Sequence, residues 1–281
     1  MSFTTLVDVP TLRAHLDDPN WLVIDVRHQL ADTAYGERVY GDSHIPGAVF
    51  LHCDRDLSGP MNRSNGRHPL PERQKLAARL AGIGIGRQTQ VVVYDDTQGM
   101  IAGRLWWLLR WLGHDKVALL DGGWQAWLAS GGMVTDVLPT LVATTFAATE
   151  GIGPVDAAYV QERLETPHMH LIDARSPDRY RGENETIDPV GGHIPGAVNR
   201  FFRDNLQADG RFKPAAELRT EWLAVLAGCA PEAVVHQCGS GVSACHNMLA
   251  MEIADLPGSR LYAGSWSEWC ADRGRPVARG E

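Results

Sequence analysis

Residues 234–246 read Val-Val-His-Gln-Cys-Gly-Ser-Gly-Val-Ser-Ala-Cys-His. A short β-branched run ends at Cys238. Two glycines and two serines follow, and an apolar stretch of helical character then begins with Ala244, Met248, Leu249 and Met251. Strand, tight loop and helix in that order form the building unit of a parallel sheet. A cysteine at the junction has a physical reason to be reactive, because unpaired backbone N–H groups and the positive helix end favour thiolate over thiol. Gly239 and Gly241 let the backbone curl so that its N–H groups point at an anion. Cys238 is therefore the candidate nucleophile, and an inert buried thiol at a strand end is the bland alternative.

The surrounding sequence repeats itself. Ile24-Asp-Val-Arg27 returns as Ile172-Asp-Ala-Arg175, and His44-Ile-Pro-Gly-Ala-Val49 as His193-Ile-Pro-Gly-Ala-Val198. Asp121-Gly-Gly-Trp-Gln-Ala-Trp127 returns as Ala263-Gly-Ser-Trp-Ser-Glu-Trp269, an offset of 142. The same offset puts Asp96 where the second half has Cys238. Such ordered matches predict tandem domains over 1–132 and 154–281. Residues 133–153, poor in charge, suit an extended linker. Short apolar runs at 21–25, 48–51, 91–94 and 117–120 return at 170–173, 197–199, 234–237 and 260–262, separated by helical patterns. The expected class is α/β, each domain a parallel sheet with helices on both faces. Ligands in such sheets bind beyond the strand C-termini, where Cys238 falls.

Duplication separates architecture from chemistry. An aspartate offers no thiolate nucleophile, so the first domain is expected to be catalytically silent. Features kept in both halves read as structural: His44 and His193, the pairs Asp25/Arg27 and Asp173/Arg175, and Trp124, Trp127, Trp266 and Trp269. Arg179 and Arg181 have no first-half counterpart and are candidates for function.

The 281 residues, 44% apolar, suffice for two cores. A formal net charge of −8 disfavours nonspecific nucleic-acid binding and offers no polybasic membrane patch, so an anionic substrate must be drawn by local cations. No signal peptide or apolar run of membrane-spanning length is apparent. Five scattered cysteines without metal-ligand spacing suggest a reducing compartment, the cytoplasm, with at least one working thiol.

A cysteine phosphatase would carry its phosphate-clamping arginine six positions after the cysteine, where Ala244 stands. The loop instead matches Cys-Gly-Ser-Gly-Val-Thr-Ala, with Ser243 replacing Thr. In this it resembles the two-domain sulfurtransferases of the rhodanese superfamily, in particular those acting on 3-mercaptopyruvate, and the resemblance covers nearly the whole chain. It implies two tandem rhodanese-like domains, the second catalytic. It implies sulfane-sulfur transfer through a persulfide on Cys238, and an Asp-His-Ser relay of Asp54, His68 (in His68-Pro-Leu-Pro) and Ser240. It implies that Arg179 contacts the substrate anion. The family's second substrate arginine falls at Asp188, and Arg181 is the candidate replacement. A non-catalytic rhodanese-like binding module is disfavoured by the presence of Cys238.

The chemistry needs a thiolate, a cradle for the persulfide and release to a second nucleophile. Gly239, Ser240, Gly241, Val242 and Ser243 would supply the cradle through N–H and hydroxyl groups. No metal or organic cofactor is required. The expected partners are a small anionic sulfur donor and either cyanide or a thiol acceptor, such as thioredoxin or a low-molecular-weight thiol. Thiosulfate enzymes of this family carry Arg-Lys after the cysteine. The neutral Gly239-Ser240 favours mercaptopyruvate, with thiosulfate as the alternative.

Overall fold

The repeats seen in the sequence become two parallel sheets of the same topology. The computed structural model describes residues 2–62, 64–164, 166 and 168–281. It resolves into two units, Met1–Gly59 with Pro71–Gly151 and Ala208–Arg211, and Pro60–Leu70 with Ile152–Gln207 and Phe212–Glu281. The main break, between Gly151 and Ile152, falls within the segment 133–153 read as a linker, and two short segments are exchanged, Pro60–Leu70 grouping with the second unit and Ala208–Arg211 with the first.

The first unit runs β1 (Leu6–Val7), α1 (Val9–Ala14), β2 (Trp21–Asp25), α2 (Tyr35–Asp42), β3 (Val49–Phe50), α3 (Arg73–Gly82), β4 (Gln90–Tyr94), α4 (Met100–Trp111), β5 (Val117–Leu120) and α5 (Gly123–Ala129). All pairings are parallel, in the order β1-β5-β4-β2-β3. The second unit runs α6 (Ala157–Glu162), β6 (His170–Asp173), α7 (Pro177–Arg181), β7 (Val198–Asn199), α8 (Ala215–Leu226), β8 (Val234–Gln237), α9 (Ala244–Ile253), β9 (Arg260–Leu261) and α10 (Ser265–Trp269). Its order is β7-β6-β8-β9, and a parallel bridge from Val155 to Tyr262 takes the place of β1. Helices flank both sheets. Each order reverses direction between its two central strands, β2 and β4 or β6 and β8. A crevice beyond the strand C-termini opens at such a switch point.

The cores follow the apolar runs. Every residue of β4 is buried, as a strand covered on both faces requires. Helix α4 is buried nearly all round, with Ile101, Leu105, Trp106, Leu108 and Leu109 inside. The paired tryptophans do more than fill space. Trp127 donates its indole N–H to Met133 O at 2.9 Å and Trp269 donates to Pro276 O at 2.8 Å, so each pins the chain leaving its last helix. The segment after Met133 is extended, as its composition suggests, but it is tied down. Thr135 pairs with His44, Thr144 N–H donates to Ala81 O, and Thr149 N–H donates to Leu112 O.

The repeated polar residues have the same work in both units. His44 Nδ1 meets Tyr40 O at 2.8 Å and His193 Nδ1 meets Tyr180 O at 2.9 Å, each ring stacked on that tyrosine. Arg27 pairs with Asp25 and stacks on Trp124, while Arg175 pairs with Asp173 and stacks on Trp266. No helix among the described residues is long and apolar enough to cross a membrane.

Candidate active site

Strand β8 delivers Cys238 to the switch point of the second sheet, beside the end of β6. The thiol is 2% exposed, and the N–H of Gly241 donates to its Sγ at 3.2 Å. The loop is bolted to the turn that starts α10. Cys238 N–H donates to Ser265 Oγ at 3.1 Å, Trp266 N–H to Cys238 O at 3.0 Å, and Ser267 N–H to Gly239 O at 2.9 Å. Gly241 has φ +75°, and a Cβ there would come within 2.3 Å of Ala263 O, so only glycine allows this approach. Val242 is buried, and Ser243 is the N-cap residue of α9 without a side-chain cap bond.

Ser265 was not legible as a site residue. It has φ +54°, a conformation that costs a non-glycine residue on the order of 1 kcal/mol. Its first-unit counterpart, Gly123, has φ +57°. The second unit accepts that strain and gains a hydroxyl that holds the Cys238 N–H. The available signal was a serine in one Gly-x-Trp repeat where the other has glycine.

The silent loop requires a correction of one residue. Tyr94 pairs with Asp25 as Gln237 pairs with Asp173, and Trp124 N–H donates to Asp95 O as Trp266 N–H donates to Cys238 O. The counterpart of Cys238 is therefore Asp95, not Asp96. The offset of 142 holds at the Gly-x-Trp turns but is 143 at the central strands. The buried Asp95 carboxylate accepts the N–H groups of Thr97, Gly99, Ile101 and Ala102, filling the nest itself. Asp96 instead accepts the Tyr35 hydroxyl at 2.5 Å.

Around Cys238 the second unit assembles several of the expected residues. His68 Nδ1 and Ser240 Oγ lie 2.7 Å apart, both buried, joining residues far apart in sequence. This contact exists because Pro60–Leu70 is part of the second unit. Gly66, at φ +78°, lies so close to Gly264 O that a Cβ would be 2.8 Å from it, and Arg67 N–H donates to Ser267 Oγ. Arg179, on α7, has Nη1 and Nη2 each 3.6 Å from where a Cβ on Gly239 would stand. Glu185 holds Arg179 through Nε and Nη2 at 2.9–3.1 Å, and Asp188 approaches Nη2 at 3.3 Å.

Arg181 does not take the position expected of it. Its Nε and Nη2 pair with Glu183 at 2.8–2.9 Å on the solvent side of α7. The second guanidinium against Gly239 is Arg67, whose Nη2 would be 2.9 Å from a Cβ there and whose Nη1 pairs with Asp188. Burial and the neighbouring Arg179 lower the pKa of Arg67, while Cys238 opposes that shift.

Asp54 belongs to the first unit. Its carboxylate is 3.9 Å from His28 Nε2, and its N–H donates to His52 Nδ1. With Cys53 these residues bring three ligand-type atoms within 4.8 Å of one another. Burial, then the Asp54 charge, push the Cys53 thiol up to about 12, which keeps it protonated and a poor cation ligand.

A duplicated parallel fold with a lone cysteine nest in its second copy is the arrangement of a tandem-domain sulfurtransferase. The chain belongs to the rhodanese family. The family model described as Rhodanese-like domain matches residues 8–130 and again 156–272. A probable 3-mercaptopyruvate sulfurtransferase of Pseudomonas aeruginosa is 48% identical over 284 residues, covering 100% of both chains. The thiosulfate sulfurtransferase of Mus musculus is 33% identical, covering 89% of this chain and 85% of its own. The solved 3-mercaptopyruvate sulfurtransferase from Leishmania major superposes with a TM-score of 0.85 at 28% identity, covering 98% of this chain and 76% of its own.

Proposed function

We propose that the chain transfers sulfane sulfur from 3-mercaptopyruvate to a thiol or to cyanide through a persulfide on Cys238. The observation that carries this reading is the His68–Ser240 pair beside a cysteine followed by neutral Gly239. The Cys238 thiolate attacks the donor sulfur, and the carbon–sulfur bond breaks. Its electron pair leaves as the enolate of pyruvate, which takes up a proton to become pyruvate. With Nδ1–H of His68 donating to Ser240 Oγ, the serine hydroxyl is free to donate to the developing enolate oxygen. Asp54 keeps its role as the third relay member on the resemblance alone. The acceptor then attacks the outer sulfur and returns Cys238 as thiolate. Gly241 N–H, with the backbone of Gly239 to Ser243, stabilises the sulfur anion at each stage. Arg179 binds the donor carboxylate. The five free thiols suit a reducing compartment such as the cytoplasm.

Thiosulfate is the second reading, supported by the two guanidiniums over Gly239. Glu185 and Asp188 lie against those cations and offset their charge, which favours a monoanion over a dianion. The deciding measurement is kcat/KM for both donors with cyanide and with a small thiol. A higher value for thiosulfate with both acceptors replaces the first reading by the second.

Ser240→Ala is expected to lower kcat with mercaptopyruvate about tenfold to a thousandfold, the range for loss of one donor to a developing oxyanion or of general acid help. Thiosulfate turnover should change far less, because sulfite leaves with no enolate oxygen for Ser240 to stabilise. Equal losses with both donors would remove Ser240 from the proton path.

A further inference from the structure

We propose that Arg67 is the second donor-binding cation of this site, taking the place of the arginine that the resemblance puts at 188. The inference rests on the sulfurtransferase reading and names a specificity residue within it.

Three observations point the same way. Position 188 holds an aspartate whose side chain is 3% exposed, and its two carboxylate oxygens reach different arginines, Oδ1 to Arg67 and Oδ2 to Arg179. Asp188 thus ties together a guanidinium from Pro60–Leu70 and one from α7. Nη2 of Arg67, the nitrogen not paired with Asp188, and both Nη atoms of Arg179 lie over Gly239, next to Cys238. Gly239 also has no side chain to fill the space beneath them. Two guanidiniums side by side repel, and buried cations are held only where charges balance them. Asp188 and Glu185 supply that balance, so a small anion entering above Cys238 meets two pre-aligned guanidiniums at little reorganisation cost.

The exchange is reciprocal. An arginine at 188 would supply its own cation but could not hold Arg67, and an aspartate at 188 supplies no cation but recruits one. Arg67 follows Gly66, whose close approach to Gly264 fixes the chain there, and its own N–H is held by Ser267 Oγ. The guanidinium is therefore presented by an anchored backbone.

The test uses the full chain and both anionic donors, mercaptopyruvate and thiosulfate, on every variant. Arg67→Ala is expected to lower kcat/KM for the preferred donor on the order of tenfold to a hundredfold, mostly through KM, as loss of a charge-assisted contact does. Discharge of a preloaded Cys238 persulfide by a neutral thiol should keep its rate, which a merely structural role would not spare. Arg67→Lys should recover part of the loss, since it keeps the charge without the fork. Arg67→Ala with Asp188→Arg should recover more, because the cation returns from the other position. An Arg67→Ala value within twofold of wild type overturns the inference, as does a discharge rate that falls by the same factor as loading. A wild type that turns over thiosulfate alone overturns the donor reading, and Arg67 is then judged on thiosulfate.

Discussion

Cys238→Ser is expected to take up no sulfur from any donor. A hydroxyl in the same loop is too poor a nucleophile toward sulfane sulfur, and it cannot form a persulfide at all. The other cysteines offer no substitute. Burial, then Asp54, pushes the Cys53 thiol up to about 12, and burial also raises that of Cys270. Cys245 is buried and donates to Gly241 O at 3.4 Å. Cys229 follows the turn after α8 and is half-buried, outside the strand–loop–helix unit that holds Cys238. Intact-protein mass spectrometry after donor treatment should show one added sulfur on the wild type and none on the variant. Full loading of Cys238→Ser would sink the assignment. Thermal unfolding of the variant should match the wild type, because the backbone bonds that hold the loop do not involve Sγ, apart from the weak one from Gly241 N–H.

The sequence carried the architecture because duplication wrote it twice. Strands such as Val117–Leu120 and Val234–Gln237 were readable as short apolar runs recurring in both halves. The two-residue edge strand β1 and the Val155 bridge were not, since two residues carry no period. Asp95 was missed by one place for a related reason. A constant offset assumes no insertion or deletion, yet the loop from Cys238 to α9 is one residue longer than that from Asp95 to α4, while α9, with 10 residues, is two shorter than α4, with 12, so the offset drops by one before the Gly-x-Trp turn.

Site residues were legible where local pattern decides their environment. Cys238, Ser240 and the loop glycines sit in one strand–loop–helix unit, and the structure keeps them together. Arg67 is different, because its role depends on where Pro60–Leu70 packs. That segment is a Gly/Asn/Arg-rich insertion with no repeat partner and no hydrophobic period to place it. The only local hint was its adjacency to His68. Arg181 drew attention through the absence of a first-half counterpart, yet a neighbouring acid two residues on, Glu183, engages it at the surface. Absence of a repeat partner marks a residue as different, and packing decides whether the difference faces the site.

Arg175→Ala is expected to destabilise the second unit by about 3–5 kcal/mol, the range for breaking a buried ion pair from one side. Arg175 donates Nε and Nη2 to the Asp173 carboxylate at 2.6–3.1 Å and Nη2 to Gly192 O at 2.8 Å, and its Nη1 lies 3.6 Å from Glu185. All three side chains are 3% exposed or less. Removing the guanidinium leaves two carboxylates buried without it and strips the cation from the face of Trp266. For a unit of this size the loss corresponds to a fall in midpoint on the order of 10 °C. Arg27→Ala supplies the matched control, because Arg27 pairs with buried Asp25 and stacks on Trp124 in the same way. Calorimetry should show a comparable penalty in the first unit. The two variants should part in activity. Glu185 also holds Arg179, so losing Arg175 frees Glu185 to draw Arg179 away from Gly239. Arg175→Ala should therefore raise KM for an anionic donor at temperatures where it remains folded, while Arg27→Ala should leave KM unchanged. A midpoint within about 2 °C of wild type would show that the Asp173–Arg175–Glu185 chain holds nothing up. Equal KM effects in the two variants would show that Glu185 does not couple the structural arginine to the donor-binding one.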